Sequence, residues 1–224
     1  MKTGPATETR RMGAAACLLA APLLMLAGDA LRYWAGAQRA GFVMVKLSFA
    51  LFVGAALAVV RMTSQRADRV GLLGGALAVV GCLSGASIVT ANAVLRSIDA
   101  AGLGESATRA VEEAFKAGGV GEFVFLYPLP GLAFPAGFVV LAYALRRARA
   151  ASKSAAAALA VGALLFPVGR IGGLEWAVLG SGVGMSVGLG LTALRVLGMR
   201  AGEWARARVV AETDAPLGGQ TAAG

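Results

Sequence analysis

The pentapeptide GMSVG, Gly184 to Gly188, matches the G-x-S-x-G pattern that presents a nucleophilic serine. That chemistry needs a partner base and a strand-to-helix elbow that exposes the hydroxyl. The chain contains no histidine, and residues 176–194 carry no charge. Ser186 therefore belongs to an apolar helix, and the match assigns no catalysis. Lack of histidine also removes His-ligated haem, most zinc sites and every Ser-His or Cys-His pair. A Ser-Lys dyad would have to use Lys46, but Ser48 stands only two residues along the same helix and faces away. The adjacent acids Glu112 and Glu113 read as charge on a solvated helix face. No phosphate-binding loop, dinucleotide fingerprint or cysteine cluster occurs. Cys17 and Cys82 lie in apolar runs at depths that differ by roughly 10 Å, too far apart for a disulfide. No cofactor, metal or catalytic residue is expected.

The residues that could bind a ligand are charges set in or beside apolar runs. Asp29, Arg32, Lys46, Glu122, Arg170 and Glu175 come from five segments, and Tyr127 adds a phenol near the same level. A lone charge in lipid costs about 2.5–3.5 kcal/mol on insertion scales, so pairing is expected. These seven residues form the candidate site: an outward-facing polar layer for a small ligand or ion, or ion pairs that fix helix contacts. Within it, Arg170 is expected to pair with Asp29 or Glu122 rather than with Glu175. The Gly172–Gly173 turn leaves Glu175 close in sequence, but on a different helix that can point away.

The elements that hold these charges follow from composition. Of 224 residues, 58% are hydrophobic and only 15% charged. Uncharged runs cover 12–28, 47–60, 70–95, 123–145, 154–169 and 176–194. Crossing a bilayer takes about 20 apolar residues as a helix. Four runs reach that range, and the other two reach it once a flanking charge snorkels to water. The runs are continuous, without the alternation of a membrane β-barrel. The expected fold is all-α: a polytopic integral membrane bundle of six transmembrane helices, at about 12–31, 41–60, 70–95, 122–145, 154–172 and 174–198.

One connection is long. Within 96–121, Ala107, Ala110, Val111, Ala114 and Phe115 recur at helical spacing, opposite Arg109, Glu112, Glu113 and Lys116, and Gly118 and Gly119 follow. This predicts a short outer amphipathic helix. Residues 1–11 and 205–224 read as disordered tails flanking a single domain over 12–204.

Charge sets the orientation. With six helices, 14 of the 21 Lys and Arg residues fall on one side, and the opposite side is neutral. The positive-inside rule then puts both termini in the cytoplasm of a bacterial plasma membrane. Basic residues there meet anionic lipid headgroups, and no nucleic acid is called for. The N-terminus also carries features of a signal peptide that would be cut near Ala27 or Ala30, but an even helix count favours an uncleaved first helix.

Packing signals are small residues. Gly180, Gly184 and Gly188 form one stripe of the last helix, and Gly182, Ser186 and Gly190 another. Gly74, Ala78, Gly81, Gly85 and Asn92 form a stripe on the third. Two-faced helices have neighbours on both sides, which puts the third and sixth helices at the bundle centre. Pro128, Pro130 and Pro135 predict a kinked or unwound fourth helix. GGALAVVG at 74–81 echoes AAALAVGA at 156–163, a weak sign of a repeated hairpin.

In general style the Ala-, Gly- and Arg-rich chain resembles small multi-pass membrane proteins of GC-rich bacteria, and no motif singles out a family. The expected role is a non-catalytic structural or accessory component. Its partners would be membrane lipids and either another helical protein or a second copy of the chain. A small transporter or channel is the alternative, and an intramembrane enzyme the second.

Overall fold

Helices dominate because an apolar chain in lipid must satisfy every backbone amide internally. The computed structural model describes residues 5–102, 104–117 and 128–206, and no strand occurs among them. The helices are α1 (Pro5–Tyr33), α2 (Gln38–Thr63), α3 (Asp68–Ala100), α4 (Gly104–Ala117), α5 (Pro128–Arg147), α6 (Lys153–Arg170), α7 (Glu175–Gly198) and α8 (Ala201–Arg206). Five of them, α1, α2, α3, α6 and α7, are long and apolar enough to cross a membrane. Helix α5 has 20 residues. The segment 118–127, which holds Glu122 and Tyr127 as well as Gly118 and Gly119, lies outside the described residues.

Six helices close into a ring in the order α1, α2, α3, α5, α6, α7 and back to α1. This corrects the expected centre. Helices α3 and α7 do have neighbours on both sides, but so does every member of a ring. Side chains fill the middle instead. Phe49 and Phe52 of α2, Phe134 and Phe138 of α5 and Phe166 of α6 form a continuous aromatic cluster with centroid separations of 4.6–5.5 Å. Leu18 and Met25 of α1 and Met185 and Leu189 of α7 complete the buried core.

The two stripes of α7 separate as their spacing dictates. A methyl at Gly184 would lie 2.8 Å from the Gly162 Cα of α6, and one at Gly182 would lie 2.8 Å from Leu26 of α1. On α3, Gly74 and Gly81 face α5 and Gly85 faces Phe49 of α2, whereas Asn92 is exposed. Outside the ring, large apolar side chains such as Leu47, Leu57, Leu73, Leu83, Leu164 and Leu194 are more than half exposed. A band of that extent is the signature of a surface covered by lipid or protein.

Two local expectations change. Residues 5–11 are helical, so α1 starts well before the predicted boundary. Arg11 explains the attachment: its guanidinium donates to the Leu197 carbonyl at 2.7 Å and to the Met199 carbonyl, closing the open end of α7. Pro128 and Pro130 occupy the first turn of α5, where a missing N–H costs nothing, leaving Pro135 as the interior proline. Beyond α7, Trp204 is 2% exposed, held by Arg61, which donates to its carbonyl at 2.9 Å and lies 4.7 Å over its ring. Residues 207–224 lie outside the described residues.

Helix α4 packs on α3. Ala107 and Val111 are half-buried, while Arg109 pairs with Glu105 at 3.0 Å on the exposed side. Cys17 and Cys82 are free thiols.

Candidate functional site

The α1–α2 and α6–α7 turns lie at one end of the ring, and the charge cluster is there. Helices α1 and α2 meet closely because glycines face each other. A methyl at Gly28 would sit 2.9 Å from the Gly41 carbonyl oxygen. That approach buries the neighbouring Asp29, which is 2% exposed. At the α6–α7 turn, Gly173 takes φ 69°, a left-handed conformation that suits glycine. The turn leaves Arg170 as the last residue of α6, pointing back across the ring end.

Arg170 Nη2 donates to Asp29 Oδ2 at 2.5 Å. Arg32 Nη1 lies 3.7 Å from the other oxygen, Oδ1, close enough for an ion pair but too long for a hydrogen bond. Among the described residues Oδ1 accepts no hydrogen bond. Each arginine rests on an aromatic face: Arg170 lies 4.9 Å over Phe166, and Arg32 lies 4.3 Å over Phe42. Cation–π contact of this kind offsets part of the desolvation of a guanidinium.

Of the seven candidate residues, the structure brings together Asp29, Arg32 and Arg170. Lys46 is exposed, because Val45 takes the inward position and the next residue turns about 100° away. Glu175 opens α7 and is exposed beside Trp176. It makes no salt bridge to Arg170. Glu122 and Tyr127 belong to the segment outside the described residues.

A second feature at this end was not anticipated. Gln38 and Arg39 begin α2, Arg96 lies near the end of α3, and the two helix ends bound a cleft of about 670 Å³ floored by Phe42, Val43 and Ala93. Gln38 Nε2 donates to the Arg32 carbonyl at 2.8 Å, which fixes the amide orientation. Its buried Oε1 accepts nothing from the described residues. In the sequence Arg39 and Arg96 look like ordinary flanking charges, and only the packing of α2 on α3 sets them on one cleft.

No family model matches the chain, and no curated protein or solved structure is significantly similar to it.

Proposed function

We propose that the chain is a non-catalytic structural or accessory component of a bacterial plasma membrane. In this reading six helices cross the bilayer, α5 together with the residues before it being the fourth. Helix α4 lies on the outer surface, and both termini are cytoplasmic. The observation that carries the reading is the filled ring. Phe52, Phe134, Phe138 and Phe166 occupy the middle, where a transporter needs a polar path, and the described charges stand towards the two ends of the ring. The Asp29–Arg170 bridge joins α1 to α6 across the intervening α7, so it serves as a clasp that fixes three helices. A rigid bundle with an extensive apolar exterior suits a role in holding lipid or a neighbouring protein in place.

Cysteine accessibility tests this. In a chain with Cys17 and Cys82 changed to alanine, Ala55→Cys and Ala142→Cys place thiols at positions 0% and 2% exposed. Neither should react with a membrane-impermeant maleimide in intact membranes, and both should react after denaturation in detergent. Labelling of either in the folded protein supports the transporter reading instead.

A further inference from the structure

The cleft between the start of α2 and the end of α3 has the properties of a site for an anionic amphiphile. Its volume of about 670 Å³ falls within the roughly 300–1,000 Å³ of small-ligand clefts. Two guanidinium side chains, Arg39 and Arg96, line it from different helices. Neither makes a salt bridge among the described residues. Arg96 lies 5.8 Å over the Phe42 ring, on which Arg32 also rests, so positive charge is concentrated around one buried aromatic. Among the described side chains, Asp29 is the acid paired with the neighbouring Arg32, and Arg170 already takes one of its oxygens. Among the described side chains, the charges that line the cleft are cationic. Gln38 lines the cleft too, its amide held in place by the Arg32 carbonyl.

The apolar part has a direction. Ala93 and Ser97 are shared with a shallower groove that runs over Thr90, Val94 and Ile98 of α3. Val43, on the facing helix, is 58% exposed. A ligand that matched this surface would carry a negative group for the two arginines and a hydrocarbon tail for the groove. A soluble anion would leave the groove unused, and a zwitterionic lipid would set its own cation against Arg39 and Arg96.

We infer that this cleft binds an anionic phospholipid such as phosphatidylglycerol, its phosphate between Arg39 and Arg96 and an acyl chain along α3. The assignment goes beyond the accessory reading and stands or falls separately from whether the ring interior is dry.

The test titrates the purified full chain in non-ionic detergent with dioctanoyl phosphatidylglycerol, dioctanoyl phosphatidylcholine or glycerol 1-phosphate, read by calorimetry. Phosphatidylglycerol should bind saturably, and the other two roughly tenfold or more weakly. Arg39→Gln with Arg96→Gln should lower phosphatidylglycerol affinity by a similar factor without changing the lipid-free melting temperature. Arg66→Gln with Arg69→Gln, at the opposite end, should leave it unchanged. Should the first double variant fail to fold, Ala93→Trp fills the cleft without touching charge and should give the same loss. Equal binding of phosphatidylcholine, or parental affinity in the Arg39/Arg96 variant or in Ala93→Trp, overturns the site. A loss at Arg66/Arg69 overturns it as well. Glycerol 1-phosphate binding as tightly as the lipid overturns the lipid assignment in favour of a soluble anion.

Discussion

Asp29 and Arg170 are 141 residues apart in the chain, yet Oδ2 and Nη2 are 2.5 Å apart, with side chains only 3% and 18% exposed. Removing one partner of such a pair strands the other charge where water is scarce, at a cost of about 3–5 kcal/mol. Arg170→Ala and Asp29→Ala should each destabilise the detergent-solubilised protein by that order. The double variant should recover part of the loss, because neither charge is left alone. Glu175→Ala should show no coupling to Arg170→Ala. A cycle with coupling at Glu175 and none at Asp29 would contradict the geometry.

Helix α7 is held on both faces by glycine contacts. Gly184→Leu drives a side chain into the Gly162 backbone of α6, and Gly182→Leu meets Leu26 of α1. Each should lower the melting temperature well beyond Leu191→Ala, since Leu191 is 42% exposed and loses few contacts. Parental melting of Gly184→Leu would mean that α6 and α7 do not pack as described.

The aromatic middle carries a separate prediction. Phe134 is 0% exposed and touches the rings of Phe49, Phe52, Phe138 and Phe166. Phe134→Ala should cost about 3–5 kcal/mol through lost contacts and the cavity left behind. Tyr143→Ala, at a site 58% exposed, should stay within about 0.5 kcal/mol of the parent. Thermal or denaturant unfolding in detergent distinguishes the two.

Much of this was legible before any coordinates. Continuous apolar runs dictate helices, and the two glycine stripes of α7 announce two neighbours. Asp29 was one of two expected partners for Arg170, because a buried charge demands one. What failed was anything that depends on how far a helix stands from the bundle axis. A small-residue stripe reports close contact, and in a ring every helix has two contacts, so the stripes of α3 and α7 do not mark a centre. Lys46 joined the candidate site by depth alone. Its azimuth, one step past the inward Val45, takes it away. The reverse error hid Gln38, Phe42 and Arg96. Gln38 and Phe42 stand four apart on one face of α2, but Arg96 meets them only because α2 and α3 are packed. Trp204 is the last residue of the expected domain, but nothing in the chain foretells the hold of Arg61.

Orientation follows from charge. Reporter fusions after residue 65, after residue 150 and at the C-terminus should register cytoplasm, and one near residue 110, within α4, should register the outside. A cytoplasmic signal at 110 would remove the six-span arrangement. Intact mass of the purified protein should include the first helix. Cutting near Ala27 or Ala30 would take away most of α1 and open the ring between α2 and α7.

The proposed scaffold is a closed, clasped bundle and not a conduit. Its most direct test is solute flux through proteoliposomes that contain the purified chain. With protons, potassium, chloride and small anions as test solutes, leakage should match that of protein-free liposomes, for the parent and for the Glu175→Ala variant alike. A protein-dependent flux that vanishes in Arg170→Gln or Asp29→Asn would contradict it, and would make the Asp29–Arg170 pair part of a transport path.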